Sequence, residues 1–131
     1  MTQRGALAAA SLLVALAVGA ACAAPRNTLG TRASACFRAL PTAKAAVHHK
    51  GRLVGVRRVA RKDVEHAFPN AALGSGHDYC IVGFSGPYGT ADVDRPAGEA
   101  GGRYAVVVVT ARGTTALQTF LSDRLPLRLR H

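Results

Sequence analysis

The stretch that decides the fold is Tyr104–Thr110, which reads YAVVVVT. A continuous run of branched apolar residues, followed by the turn Ala111-Arg112-Gly113, is typical of a strand that is buried on both faces. Thr114–Leu121 then alternates apolar and polar residues, as a returning strand does. The sequence therefore predicts an antiparallel hairpin here, and the other elements are placed relative to it.

Three more strands are predicted outside the hairpin. Tyr79–Phe84 (YCIVGF) is a short apolar run, and Arg52–Val59 (RLVGVRRV) is rich in branched residues, with Gly55 at a possible bulge. Leu125–His131 alternates leucine with arginine and contains Pro126, which is tolerated at a sheet edge and not at its centre. These segments bring the predicted sheet to four or five strands.

Two helices and one long connector complete the pattern. The first helix begins at Pro41 and runs through a histidine-histidine-lysine triplet to Gly51, so that cations lie at the negative end of the helix dipole. The second helix, Asp63–Phe68, is ended by Pro69. Residues 85–102 contain five glycines and predict a long connector without regular structure.

Together these elements predict an α+β fold: a small antiparallel sheet of four to five strands with two or three short helices on one face. The predicted organisation is a signal peptide over residues 1–21, a flexible tether over 22–33 and a single domain over 34–131. Because the chain has no tryptophan, three tyrosines and four phenylalanines, we expect a core of small side chains.

The N-terminus has the arrangement of an export signal. Arg4 and the α-amino group precede Ala6–Ala21, a run of uncharged and mostly small apolar residues. As a helix this run is about 24 Å long, which is shorter than the ~30 Å hydrocarbon core of a membrane. The pattern favours a signal peptide over a permanent membrane span.

Gly19-Ala20-Ala21-Cys22 resembles the lipobox of bacterial lipoproteins, with Gly19 at the position where leucine is most often found. The resemblance covers these residues and the apolar run before them. It implies that Cys22 is acylated and attaches the protein to the outer face of the cell membrane. Two alternatives stay open. Cleavage after Ala23 would give a secreted protein. The apolar run could also stay as an uncleaved anchor, because the arginines that follow it favour the cytoplasmic side of a membrane.

The cysteine count is consistent with export. The chain has three cysteines, and both acylation and removal of Cys22 leave Cys36 and Cys80 as a pair. We therefore expect a disulfide between Cys36 and Cys80, which would stabilise the domain by about 2–4 kcal/mol. The alternative is two separate buried thiols that pack as small apolar groups.

The net charge of +10 indicates that the surface attracts anions. The segment from Lys44 to Lys62 carries seven lysines and arginines, and it predicts an anion-binding face. The alternative is an ordinary solvated surface, because no aromatic residue is interleaved for stacking. For an exported protein the expected partners are anionic lipids or wall polymers, and nucleic acid is an unlikely partner. No protein partner can be named from the sequence. The candidate residues are Lys50, Arg52, Arg57, Arg58, Arg61 and Lys62.

No catalytic or metal-binding arrangement stands out, so we predict neither catalytic residues nor a cofactor. His77 precedes Cys80 by three residues, but no second pair completes a zinc site, and an apolar strand around Cys80 argues against a reactive thiol. The residues around Ser85 lack the helix that a nucleophile elbow requires.

Three hypotheses about function follow. The first is a non-catalytic binding or interaction module of the cell envelope, exported and lipid-anchored. The second is a small extracytoplasmic enzyme that uses Cys80 with His77, or the Ser85 region. The third is a surface protein that binds acidic lipids or wall polymers through its basic face.

Overall fold

The computed structural model describes residues 35–125. The predicted signal peptide (1–21), the lipid attachment at Cys22 and the tether (22–33) lie outside this range. The strand predicted over Leu125–His131 also lies outside it, except for Leu125, which is not in a strand.

Five strands form one sheet in the order β1-β2-β4-β5-β3. The first three neighbouring pairs are antiparallel, but β3 runs parallel to β5, so the sheet is mixed and the prediction of an antiparallel sheet is only partly right. The chain reverses direction between β3 and β4, and it reverses again between β4 and β5. β3 and β5 therefore run in the same direction. The strands are β1 (Arg52–Ala60), β2 (Asp78–Gly89), β3 (Pro96–Gly98), β4 (Gly101–Thr110) and β5 (Ala116–Ser122).

Two short helices, α1 (Leu40–Ala46) and α2 (Arg61–Ala67), flank β1 in the sequence. A 3-10 turn, Phe37–Ala39, leads directly into α1, and a second one, Thr90–Asp92, follows β2. The 3.6-residue period places Ala43 and Ala46 on the buried side of α1. Each helix is too short to be stable alone, so its packing on the sheet has to supply its stability.

The first face of the sheet packs against α1. Alternate residues of β2 and β4 point to this side, and among them are Val82 and Val107, which are fully buried. Ala43 and Ala46 of α1 belong to the same cluster. The small side chains allow the helix to lie close to β4 and β5.

The opposite face packs against α2 and the segment that follows it. Val64 of α2 lies with Ile81 and Val108, whose side chains point away from α1. Phe68 stacks on Phe120 with ring centroids 4.1 Å apart. The two helices therefore contact opposite faces, and the expectation of helices on a single face is not met. β4 is buried on both sides, as its valine run predicts.

The disulfide expected between Cys36 and Cys80 is present, and it joins residues that are 44 positions apart in the sequence. Both cysteines are fully buried. The bond fixes the 3-10 turn before α1 to the middle of the sheet, because Cys80 pairs with Val109 of β4 on one side and with Arg58 of β1 on the other.

Residues 85–102 are not the unstructured connector that their composition predicts. β2 continues through Tyr88, which pairs with Gly102, and Gly89 pairs with Gly101. A side chain on Gly101 would lie 2.9 Å from the Tyr88 carbonyl oxygen, and one on Gly102 would collide with the backbone of Ser122. The glycines are therefore needed for close contacts between strands, which composition alone cannot distinguish from a loop.

Candidate binding surface

The turn between α1 and β1 positions the polar groups around the start of β1. The His48 N–H donates to the Ala45 carbonyl at 3.0 Å, and the His49 N–H donates to the Lys44 carbonyl at 2.8 Å, which is the Schellman arrangement. His48 occupies the left-handed position that glycine usually takes, with φ of 52°, and His49 follows at 59°. The helix therefore ends at Ala46, before the basic triplet that was predicted to form its last turn.

A histidine–aspartate hydrogen bond and an ion pair connect this turn to the segment after β2. His48 Nε2 lies 2.8 Å from Asp94 Oδ1, and Lys50 Nζ pairs with Asp92. The hydrogen bond from Lys50, assisted by the Gly89 N–H at 2.8 Å, holds the pKa of Asp92 below its ordinary value. Both contacts are largely exposed, so each contributes little stability, and together they link the turn before β1 to the segment after β2.

Gly51 and Tyr88 complete the turn. The Tyr88 hydroxyl donates to the Lys50 carbonyl at 2.6 Å, and burial of the ring, with a smaller effect of Asp92, raises the pKa of this phenol. Gly51 has a φ of 82°, and a side chain there would collide with the Tyr88 hydroxyl and the Ser85 carbonyl oxygen. Only glycine fits at this position.

β1 is an edge strand, nine residues long, and it pairs only with β2. Its outer edge makes no backbone hydrogen bond to any residue within 35–125. The pairing places Arg52 and Arg57 on the α2 face, opposite Ser85 and Ile81, and Arg58 on the α1 face, opposite Cys80. The structure thus places three of the six predicted basic residues in this edge strand, on both of its faces, whereas Lys50 precedes the strand and the other two belong to α2.

Several of these cations already have partners. Arg58 pairs with Asp78 at 2.9 Å, and Arg61 of α2 pairs with Glu65 at 2.8 Å. The guanidinium of Arg61 also donates to the carbonyl oxygens of Gly74 and Gly76, so this side chain holds the loop before β2. The local positive charge is therefore smaller than the sequence suggests. Lys62 is exposed on α2.

An open cleft of about 320 Å³ lies at the start of β1, next to the end of α1. Its apolar part includes Leu53, whose side chain is 45% exposed, which is unusual for leucine. Lys44, His49 and Lys50 supply its polar part. The full lining is Lys44, Val47, His49, Lys50, Gly51, Leu53 and Phe84.

Sequence reasoning missed this cleft. Leu53 lies next to a register shift between Leu53 and Gly55, which breaks the alternation of β1 and leaves Leu53 outside the main core. Phe84 was predicted as a strand residue only, and Lys44 as a residue of the basic segment. The one sequence signal for an exposed Leu53 was its position directly after the charged Arg52. This signal is ambiguous unless the register between β1 and β2 is known.

The residues of the thiol and serine hypotheses are not arranged for catalysis. Cys80 is bonded to Cys36 and fully buried, so it presents no thiolate. Ser85 lies in the middle of β2, where it pairs with Arg52 and Tyr104, and no helix follows it.

Two further features are absent from residues 35–125. No cluster of three or more histidine, cysteine, aspartate or glutamate side chains is placed to hold a metal ion in this range. In the same part of the chain, no helix combines the length and the apolar character needed to cross a membrane.

Comparison with known proteins gives no further guide: no protein-family model, curated protein or solved structure matches this chain. The candidate surface is therefore defined by its geometry alone, as the basic outer edge of β1 and the cleft at its start.

Proposed function

We propose that the protein is an exported, lipid-anchored and non-catalytic binding module of the cell envelope, held at the outer face of the membrane through Cys22. Two observations support this proposal. The apolar run and small residues before Cys22 match the pattern of an export signal. The buried Cys36–Cys80 disulfide is of a kind that forms and persists in oxidising compartments.

The proposed binding surface is the outer edge of β1, and its proposed ligand is an anionic component of the envelope. One observation carries this proposal: within residues 35–125, a nine-residue edge strand makes no backbone hydrogen bond on its outer side and bears arginines on both faces. Edge strands of this length are normally covered or interrupted, because their backbone groups can pair with another chain. A positively charged surface attracts anions over distances of about 8–10 Å at moderate salt.

The first test concerns the anchor. The mature N-terminal peptide is isolated from the membrane fraction without reduction, and its mass is measured. We expect a peptide that begins at Cys22 and carries acyl chains. A peptide that begins at Ala24 without lipid would replace the anchored protein with a secreted one, and an intact Met1 would overturn export.

The second test concerns the surface. Binding of the purified chain to vesicles that contain anionic lipid and to a soluble polyanion is measured over a range of salt concentrations. We expect binding that weakens steeply with salt and falls further in the Arg52→Glu variant. The matched control is Arg112→Glu, which makes the same charge change in the exposed turn between β4 and β5. Equal losses in both variants would show that net charge alone, and not the β1 edge, is responsible.

A further inference from the structure

We propose that β1 binds an acidic peptide segment in extended conformation, which adds to the sheet as a sixth strand and places one apolar side chain in the cleft beside Leu53. This inference rests on the proposed function and names the chemical class of its partner. It is argued from the open backbone of β1, the positions of its arginines and the apolar part of the cleft.

The backbone of β1 supplies the main attachment. β1 pairs with β2 on one side, and every second residue of an edge strand directs its N–H and C=O groups to the other side. Within residues 35–125 none of these outer groups bonds to another backbone group. An added strand would satisfy them, and main-chain hydrogen bonds are the source of affinity in strand addition.

The arginines of β1 disfavour a second copy of this chain as the added strand. In the centred antiparallel register, Val56 would lie opposite Val56 of the other copy, and the two Arg57 side chains would be diagonal neighbours. A shift by two residues would place the two Arg57 side chains directly opposite each other. Like charges at these positions are destabilising. A strand with glutamate or aspartate at the same positions would form opposite-charge pairs instead.

The existing ion pair of Arg58 does not prevent this. Arg58 and Asp78 are both about two-fifths exposed, and exposed ion pairs contribute little stability. Arg52 is exposed at the start of the strand and faces the side opposite to Arg58. An incoming strand with alternating side chains could therefore present an acidic group to each face.

The cleft adds specificity. Leu53 pairs with Phe84 and points to the α1 face, so the apolar part of the cleft lies beside the edge at which the new strand would begin. Its volume of 320 Å³ exceeds the roughly 150 Å³ of an engineered cavity that binds benzene, so one large apolar side chain fits. Leu53 and Arg58 both point to the α1 face. Their partners on β2, Phe84 and Cys80, are four residues apart, or about 13 Å along the strand. The preferred segment thus has an apolar residue and an acidic residue about four positions apart on the same face.

The test is amide hydrogen exchange of the isotopically labelled chain, purified without reduction, with and without a capped synthetic peptide. The peptide alternates glutamate with valine or threonine and carries one leucine near an end; a second peptide has lysine in place of glutamate. We expect the acidic peptide to slow the exchange of alternate β1 amides at least tenfold, and the lysine peptide to have no effect. The anionic vesicles and soluble polyanion are measured in parallel.

The outcomes separate this inference from the proposed function. Protection of alternate β1 amides by the acidic peptide supports strand addition. Binding of the peptide without protection of β1, or binding of vesicles and polyanion but not of the peptide, would overturn strand addition and leave anion binding in place. If none of these ligands binds, both proposals fail.

Two variant pairs test the contacts. Leu53→Ser should weaken peptide binding roughly tenfold, whereas Phe37→Ser, which changes an apolar side chain that is 53% exposed and outside the cleft, should leave binding unchanged. Arg52→Glu should weaken binding by a similar factor, and Arg112→Glu should not. If the two variants of a pair weaken peptide binding equally, the residue of that pair in the proposed site, Leu53 or Arg52, does not contact the peptide.

Discussion

The two edges of the sheet differ in length, direction and chemistry. β3 forms one edge with three residues, begins with Pro96 and runs parallel to β5. β1 forms the other edge with nine residues and contains no proline. The residues on either side of β3 are also hydrogen-bonded to β5. The Glu99 N–H donates to the Leu121 carbonyl, and the Arg95 carbonyl accepts from the Thr119 N–H.

This difference indicates which edge is available for binding. The β3 edge is too short, and too much interrupted by proline, to act as a template for another strand. The β1 edge is long and bears arginines on both faces, and protection by charge is selective. The arginines repel a positively charged strand and attract a negatively charged one. The same charges that prevent aggregation can therefore also determine which partner binds.

The largest expected effect comes from removing the disulfide that supports β2 next to the β1 edge. The double variant Cys36→Ala/Cys80→Ala should lose about 2–5 kcal/mol of unfolding free energy, measured by urea denaturation. Exchange of β1 amides should accelerate more than exchange at β3, because Cys80 pairs directly with Arg58. The control is Cys22→Ser, which lies outside the described domain and should leave the unfolding free energy unchanged.

The turn that starts the β1 edge offers a matched pair of glycine variants. Gly51→Ala adds a left-handed strain and a collision with Tyr88, and should cost about 2–4 kcal/mol of stability. Gly74→Ala has a similar φ of 66° but no atom within 4 Å of the new side chain, so about 1 kcal/mol is expected. Thermal denaturation measures both. Equal losses would mean that strain alone matters and that the close packing of Tyr88 does not position β1.

The charge protection of β1 can be removed directly. In the variant Arg52→Thr/Arg57→Thr, the edge keeps its length and loses much of its charge, so self-association should strengthen about tenfold through strand pairing. The control Arg103→Thr/Arg112→Thr removes the same charge away from β1. Analytical ultracentrifugation measures the association. A monomer in both cases would show that charge is not what keeps this edge open.

The smallest effect concerns the pH dependence of the ion pair between Lys50 and Asp92, next to the start of β1. The pKa of Asp92 is lowered in the folded protein, mainly by the hydrogen bond from Lys50. Its stabilising contribution is therefore present above its unfolded pKa, about 4, and is lost as pH falls through the lower folded value. Asp92→Asn should be slightly less stable than the unmodified chain at neutral pH and equally stable at strongly acidic pH. A stability difference that does not change between these conditions would assign the effect to lost hydrogen bonds rather than to charge.

The central strands could be predicted from the sequence because their signal is local. Tyr104–Thr110 is a run of branched residues, and the structure extends it only at its start, to Gly101. β1 was predicted as Arg52–Val59, one residue shorter than observed. Burial on both faces requires a continuous apolar run, and a continuous run is visible without any knowledge of neighbours.

The parts that were wrong depend on contacts between distant residues. The mixed direction of the sheet arises because β3 lies on the far side of β5, and no local pattern predicts that placement. The end of α1 at Ala46 depends on His48 adopting a left-handed conformation while its ring bonds to Asp94, 46 residues later. The cleft beside Leu53 depends on a register shift, which changes the direction of a side chain without changing composition.

The disulfide also has a mechanical consequence. A pull on the chain from its N-terminal side reaches Cys36 first, and the covalent bond to Cys80 passes that tension directly into β2. The segment between the two cysteines, which includes α1 and the whole of β1, forms a closed covalent loop and lies off this path. A pull from that side therefore cannot peel β1 away from the sheet by unravelling the chain in sequence order, and β1 stays paired with β2 while force acts on Cys36.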